Sequence, residues 1–237
     1  MGVDEVRRVP VGAVAGDTTG PGRCVRGVVE HRTPSRPKRL RPAAVPHALL
    51  HLAGFVLLRP LVRVRLGPGA ALPPRALVYG FHEVLLAGVL ASRFTRHVVW
   101  VGNDTIGGVA SSVPVRAAGT RVFRLATRSP VPQWVQLNAF LAATDVPVGI
   151  LTDAGRGDRQ VRRSLARMAV ATRRPLVPMA VTSTRAGRLD GHVYPLPFAT
   201  VTVRYGAPVP PETLAGMPPD AARALLTQRL RAVERTT

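Results

Sequence analysis

Short apolar segments alternate along most of this chain with longer segments in which apolar residues recur every three or four positions. Compact runs such as 76–80, 97–102 and 146–152 are typical of buried strands, and the longer segments are typical of helices packed on a core. Parallel strands need a crossover connection, which is usually a helix. The alternation therefore predicts an α/β fold with a mostly parallel central sheet and helices on both faces.

The same pattern gives boundaries for the expected elements. Strands are predicted over residues 61–66, 76–80, 97–102, 120–125, 146–152, 176–182 and 200–205. Helices are predicted over residues 46–58, 84–94, 106–118, 131–143, 161–172 and 219–235. Pro114 is expected to kink or split its helix, because an interior proline removes a hydrogen bond and clashes with the preceding turn.

Composition divides the chain into two parts. Residues 1–45 contain many Arg, Gly and Pro residues without periodicity, so we predict a disordered basic N-terminal arm. Residues 46–237 show no internal repeat and no second change of composition, which predicts one α/β domain. Hydrophobic residues make up 46% of the chain, enough for that domain to bury a substantial core.

The formal net charge is +20, from 33 basic and 13 acidic residues, and Lys38 is the only lysine. A compositional preference for arginine explains this charge, and so does attraction to a polyanion. An anionic membrane surface and nucleic acid are both candidate partners. Aromatic residues make up only 5% and no helix-turn-helix pattern is visible, which makes nucleic acid the weaker candidate.

Several classes of site are not expected. Cys24 is the only cysteine, which excludes an internal disulfide and fits a reducing compartment. The six histidines are scattered, so no metal site is expected, and neither a phosphate-loop motif nor a Gly-x-Ser-x-Gly elbow occurs. No secretory signal is expected, and the longest apolar run, 48–58, is shorter than the roughly 20 residues that span a bilayer.

The helix predicted at 46–58 is apolar nearly all round. One interpretation is a helix buried in the core. The alternative is a helix that lies in a membrane interface, with Arg59, Arg63 and Arg65 at its end to meet lipid phosphates.

Ligands in sheets of this kind gather beyond the carboxyl ends of the strands, and three polar segments occupy such positions. In the first, His82 follows the strand at 76–80. With a pKa near roughly 6.5, a histidine can take a proton from a hydroxyl at neutral pH. The alternative is a histidine that caps the following helix. In the second segment, 101–108, Asp104 either caps a helix or faces His82 across neighbouring strand ends.

The third segment, 151–159, combines a strand end, a glycine loop and arginines ahead of a helix. Arginines near a helix N-terminus form a good phosphate site, and the alternative is a solvated basic loop. The candidate substrate-binding residues here are Asp153, Gly155, Arg156, Gly157 and Arg159.

In their order and spacing, these blocks resemble the lysophospholipid acyltransferase superfamily, which has a glycerol-phosphate acyltransferase-like fold. The resemblance covers about residues 45–210 and is greatest for a bacterial branch. The matching blocks are Phe81-His82-Glu83, Asp104-Thr-Ile-Gly107, Asp153-Ala-Gly-Arg156-Gly157, Pro175-Leu-Val-Pro178-Met179 and the segment 194–208. The fourth block looks like the family's short strand that ends in proline.

The resemblance implies transfer of a fatty acyl group from an acyl thioester to a hydroxyl of a lysophospholipid or glycerol-phosphate-like acceptor. The thioester of coenzyme A or acyl carrier protein would be a co-substrate, and no other cofactor is implied. His82 would be the general base, Arg156 would bind the acceptor phosphate, and Asp153 would occupy the acidic position of its block. Pro178 joins the substrate-binding set. A cytoplasmic protein, peripheral on the inner face of the cell membrane, is expected.

One position departs from the family pattern. Ala87 stands where the family's His-x-x-x-x-Asp block has its aspartate, although the bacterial branch also lacks that aspartate. Glu83 is a weak substitute, because adjacent helical residues point about 100° apart. Asp104 is the preferred candidate to orient His82. The candidate catalytic residues are therefore His82, Asp104 and Glu83. The departure leaves a second hypothesis open, a degenerate member of the family that binds lipid or acyl chains without turnover.

Overall fold

A computed structural model describes residues 45–69, 71–81, 90–95, 97–103, 106–126, 129–152, 159–189 and 192–235. Apart from Val45, the predicted basic arm lies outside these residues, as does most of the helix predicted at 84–94.

The described strands are β1 (Arg63–Leu66), β2 (Leu77–Gly80), β3 (Val99–Asn103), β4 (Val122–Leu125), β5 (Val148–Leu151), β6 (Leu176–Ser183), β7 (Ala186–Leu189), β8 (His192–Pro195) and β9 (Thr200–Tyr205). The described helices are α1 (Val45–Leu58), α2 (Ser92–Thr95), α3 (Ile106–Ala117), α4 (Gln133–Ala142), α5 (Arg163–Thr172), α6 (Pro211–Ala215) and α7 (Pro219–Arg235).

Seven of the described strands form one sheet, in the order β1-β9-β6-β2-β5-β3-β4. Strands β6, β2, β5, β3 and β4 are parallel to one another. Strand β9 runs antiparallel to β6, and β1 is parallel to β9, so the sheet is mixed at one side only. The predicted mostly parallel α/β sheet is confirmed, with β2 at its centre.

Alternate residues of β2 point to opposite faces of the sheet, and each face has its own core. Leu77 and Tyr79 pack with buried residues of α4, α5 and α7 on one face. Val78 packs on the other face with Ala91, Val98 and Met179, and Leu58 of α1 lies against that cluster. Helical segments therefore cover both faces, as the sequence predicts.

Some details differ from the sequence prediction. The chain runs through Pro114 as one helix, so the expected split does not occur. Strand β1 begins at Arg63 rather than at residue 61, because Leu61 donates a backbone hydrogen bond to Leu58 in a turn. The hairpin of β7 and β8 and the short helix α6 were not predicted, since both lie in segments without a clear apolar period.

Arg174 lies at the edge of the sheet where the parallel strands begin, and its guanidinium binds backbone carbonyl groups there. Its side chain is completely buried, with 0% exposed. Its Nη1 donates to Arg75 O at 3.0 Å and Val146 O at 3.1 Å, while Nη2 donates to Leu141 O at 2.6 Å and also to Thr144 O. Burial lowers the pKa of Arg174, and the positive charge of Arg75 acts in the same direction. One guanidinium thus satisfies carbonyl groups from two chain segments, residue 75 before β2 and residues 141–146 before β5.

Two buried tyrosines predict that stability falls in alkali. Burial raises the pKa of Tyr205 to about 12 and also raises the pKa of Tyr79, whose hydroxyl donates to Leu226 O at 3.1 Å. The unfolded chain releases these protons near pH 10, whereas the folded protein holds them. The tyrosines' contribution is therefore fully present below pH 10 and is lost as the pH rises towards 12. Urea unfolding should show this fall, and Tyr205→Phe should make it shallower; an unchanged slope would contradict the assignment.

Candidate active site

Strands β2 and β5 bring two of the predicted site segments to the same edge. They are parallel neighbours, with Gly80 paired to Leu151. Just beyond, Thr152 fixes this register, because its backbone N donates to Gly80 O at 3.0 Å and its Oγ1 donates to the same oxygen at 3.3 Å. The segment that contains His82 and the glycine loop after Thr152 therefore start from adjacent strand ends.

Most of the candidate residues themselves lie outside the described part of the chain. Their roles as catalytic or substrate-binding residues stay predictions. These residues are His82, Glu83, Asp104, Asp153, Gly155, Arg156 and Gly157.

The strand before Asp104 is not a neighbour of the strand before His82. Strand β5 lies between β2 and β3, so the expectation that His82 and Asp104 follow neighbouring strands is wrong. Adjacent strands are about 4.8 Å apart, which separates the ends of β2 and β3 by about 10 Å. The end of β5, which precedes the glycine loop, is therefore nearer to the end of β2 than the end of β3 is. The sequence pattern gave chain order but not the order of strands in the sheet.

Arg159 is described, and its guanidinium already has partners. Its Nη2 lies 2.6 Å from both carboxylate oxygens of Glu234, near the end of α7. The same guanidinium lies over the ring of Phe81, 4.9 Å from the ring centroid. Phe81 is buried and directly precedes His82. Arg159 therefore ties the end of the glycine loop and helix α7 to the residue next to the predicted base, and its contact with a substrate phosphate stays a prediction.

Pro178 lies in the middle of a strand rather than at its end. Strand β6 continues to Ser183, five residues further than the resemblance suggests. Pro178 is buried, pairs with Tyr79 and accepts a hydrogen bond from Gly206 N at 2.9 Å. A Cβ at Gly206 would lie 2.8 Å from Pro178 Cγ, so the glycine permits this close packing. The described contacts of Pro178 are with the core, and its assignment to the substrate stays a prediction.

No family model and no curated protein matches the sequence. Among solved structures, the 1-acyl-sn-glycerophosphate (LPA) acyltransferase PlsC from Thermotoga maritima matches with a TM-score of 0.50 and 15% sequence identity. The match covers 81% of this chain and 79% of that chain. This chain has an acyltransferase-like fold.

Within the acyltransferase-like fold, two contacts that stabilise the segments beside the candidate site were not predicted from the sequence. Glu234 and Thr152 act through Arg159 and Gly80, which are distant in sequence. No motif distinguishes Glu234 from the other charged residues of its amphipathic helix. Thr152 was visible as a strand end, but its bond to Gly80 depends on a strand order that the sequence does not reveal.

Among the residues that the structure describes, no three His, Cys, Asp or Glu side chains are grouped so as to hold a metal ion. None of the described helices is long and apolar enough to cross a bilayer.

Proposed function

We propose that this protein is an acyltransferase that moves a fatty acyl group from an acyl thioester to a hydroxyl of a phosphate-bearing lipid acceptor. One observation supports this most strongly. In an acyltransferase-like fold, the strand before His82 and the strand before the glycine loop are parallel neighbours, with Gly80 paired to Leu151. A base and a phosphate-binding arginine that start from adjacent strand ends suit an acceptor with a hydroxyl and a phosphate on the same small backbone.

The reaction follows from these roles. The His82 imidazole takes the proton of the acceptor hydroxyl, and the oxygen attacks the thioester carbonyl carbon. The new C–O bond forms, the C–S bond breaks, and the leaving thiolate takes the proton back from the imidazolium. Arg156 binds the acceptor phosphate through charge-assisted hydrogen bonds, and Asp153 and the loop glycines shape that site. Asp104 or Glu83 is proposed to orient the imidazole.

The packing around Phe81 supports this arrangement. The residue before His82 is buried under the Arg159 guanidinium, and Glu234 fixes that guanidinium from α7. A catalytic side chain must be held rigidly, since small displacements of a reacting group lower the rate strongly. We further propose that the protein acts as a cytoplasmic enzyme, peripheral on the anionic inner face of the cell membrane, in keeping with its net charge of +20.

The test is a direct assay of acyl transfer. Purified protein is incubated with acyl-coenzyme A or acyl carrier protein thioester and either lysophosphatidic acid or glycerol 3-phosphate, and products are identified by mass spectrometry. The proposal expects an acylated acceptor, formed with release of free thiol. Binding of the acceptor without any acylated product would instead favour the degenerate, lipid-binding member that Ala87 suggests.

A further inference from the structure

The carboxyl edge of the sheet is the edge at which its parallel strands end. An aromatic side chain is exposed at each end of this edge. Phe198 is 76% exposed and lies just before β9, whose start pairs with the end of β6. Trp134 is 63% exposed and lies in the first turn of α4, after β4. Large aromatic residues usually gain stability by burial, so their exposure at one edge calls for a functional explanation.

The position of Phe198 is fixed by a tight turn. Ala199 N donates to Leu196 O at 3.1 Å, which closes a four-residue turn with Pro197 and Phe198 in its centre. Phe198 has a φ of 65°, in the left-handed region where a turn of this kind favours glycine. The sequence thus places a bulky exposed ring where glycine would be the least strained residue. Backbone strain of this sort is typical of functional positions.

Further apolar residues surround Phe198. Its backbone N donates to Leu61 O at 2.7 Å, and Leu61 and Leu196 are both exposed. Leu61 follows the end of α1, where Leu57 is 66% exposed while Phe55 is buried in the core. Helix α1 therefore packs one face on the protein and leaves apolar residues outside, so it is not a fully buried core helix, and its place in a membrane interface stays a prediction.

Trp134 is held at the opposite end of the same edge. Ala126, the residue after β4, donates from its N to Gln136 Oε1 at 3.0 Å and accepts from Gln136 Nε2 at 3.2 Å. This pair of bonds ties the first turn of α4 to the carboxyl end of β4. Val131, next to this turn, is also exposed. The order of strands puts β2, with the His82 segment, between the Phe198 end and the Trp134 end.

We infer that these residues form a membrane-docking surface that brings the carboxyl edge of the sheet onto an anionic phospholipid layer. The surface consists of Leu57, Leu61, Leu196 and Phe198 at one end and Val131 and Trp134 at the other. The inference rests on the proposed function for its purpose: the docked edge is the one that would receive a lipid acceptor.

Charge decides in favour of lipid as the occupant. Arg59, Arg63 and Arg185 are exposed beside the Phe198 end, since Arg63 N bonds to Ala199 O and Arg185 O accepts from Leu196 N. Exposed aromatic and leucine side chains flanked by arginines suit the boundary between acyl chains and anionic headgroups. A second copy of the chain would bring the same net charge of +20 and would be repelled.

The experiment measures binding to vesicles by sedimentation, with phosphatidylcholine vesicles that contain or lack phosphatidylglycerol. The wild-type chain should bind the anionic vesicles and bind the neutral ones more weakly. Phe198→Gly and Trp134→Ser should each weaken binding by roughly tenfold, because each removes a large apolar group from the lipid. Met217→Ala is the matched control: Met217 is exposed after α6, beyond the Val209–Leu176 bridge at the opposite edge, and its loss should leave binding unchanged.

Phe198→Gly also separates docking from folding. Glycine adopts a φ of 65° without strain, so this variant should unfold at the same temperature as the wild type or higher. Vesicle binding by both aromatic variants at wild-type strength would overturn the inference, as would a dimer that dissociates in these variants. Acyl transfer is not part of this readout, so a chain that docks but does not turn over would contradict the proposed function alone.

Discussion

His82→Ala is expected to lower kcat for acyl transfer by at least about a thousandfold while the protein stays folded. Alanine removes the group that takes the proton from the acceptor hydroxyl, and a neutral hydroxyl is a weak nucleophile towards a thioester. The buried residues Leu77 and Tyr79 and the bond between Thr152 and Gly80 are retained in the variant, so the fold should persist. The measurement is product formation in single-turnover and steady-state assays, with the melting temperature of the variant recorded alongside.

His97→Ala provides the matched control. His97 is exposed and lies just before β3, at the edge of the sheet where the parallel strands begin, so its loss should leave kcat unchanged. Undiminished turnover in His82→Ala would remove the proposed mechanism. Equal losses in both variants would show that the effect is not specific to the proposed base.

Arg174→Met is expected to lower the free energy of unfolding by roughly 3–5 kcal/mol. Methionine replaces the aliphatic stem of arginine but cannot donate to Arg75 O, Val146 O, Leu141 O and Thr144 O. These carbonyl groups would remain buried without their donor, and a buried unsatisfied acceptor costs more than a lost bond at the surface. Urea unfolding at neutral pH measures the loss as a lower midpoint.

Arg167→Met tests whether the effect belongs to the buried site. Arg167 is exposed on α5, so its replacement should change the free energy of unfolding by less than about 0.5 kcal/mol. Similar midpoints for the two variants would contradict the role assigned to Arg174.

The elements that the sequence predicts well are those in which burial and local period agree. Strand β2 is a short apolar run buried on both faces, and α7 is amphipathic over the full predicted range, Pro219–Arg235. The hairpin of β7 and β8 has no such period. Strand β7 has Gly187 and Arg188 at its centre and shows no regular alternation of apolar and polar residues. Local sequence therefore predicts the layers of this fold better than its surface additions.

The candidate site divides in the same way. The position of each polar segment after a strand could be predicted, because a strand end is a local feature. The insertion of β5 between β2 and β3 could not, since strand order depends on long-range pairing. The pairing of Arg159 with Glu234 was also hidden, because the two residues are 75 positions apart, with four described strands, two helices and most of α7 between them. The sequence alone does not distinguish an arginine that binds phosphate from an arginine that forms an ion pair within the protein.

A crystal structure of the protein with a bound glycerol-phosphate ligand would test most directly whether base and phosphate site face one substrate. We expect the ligand's phosphate to contact the Arg156 guanidinium while a free hydroxyl of the same molecule lies about 3 Å from the His82 imidazole. A phosphate bound far from Arg156, or an imidazole enclosed by protein with no space for the hydroxyl, would contradict the account.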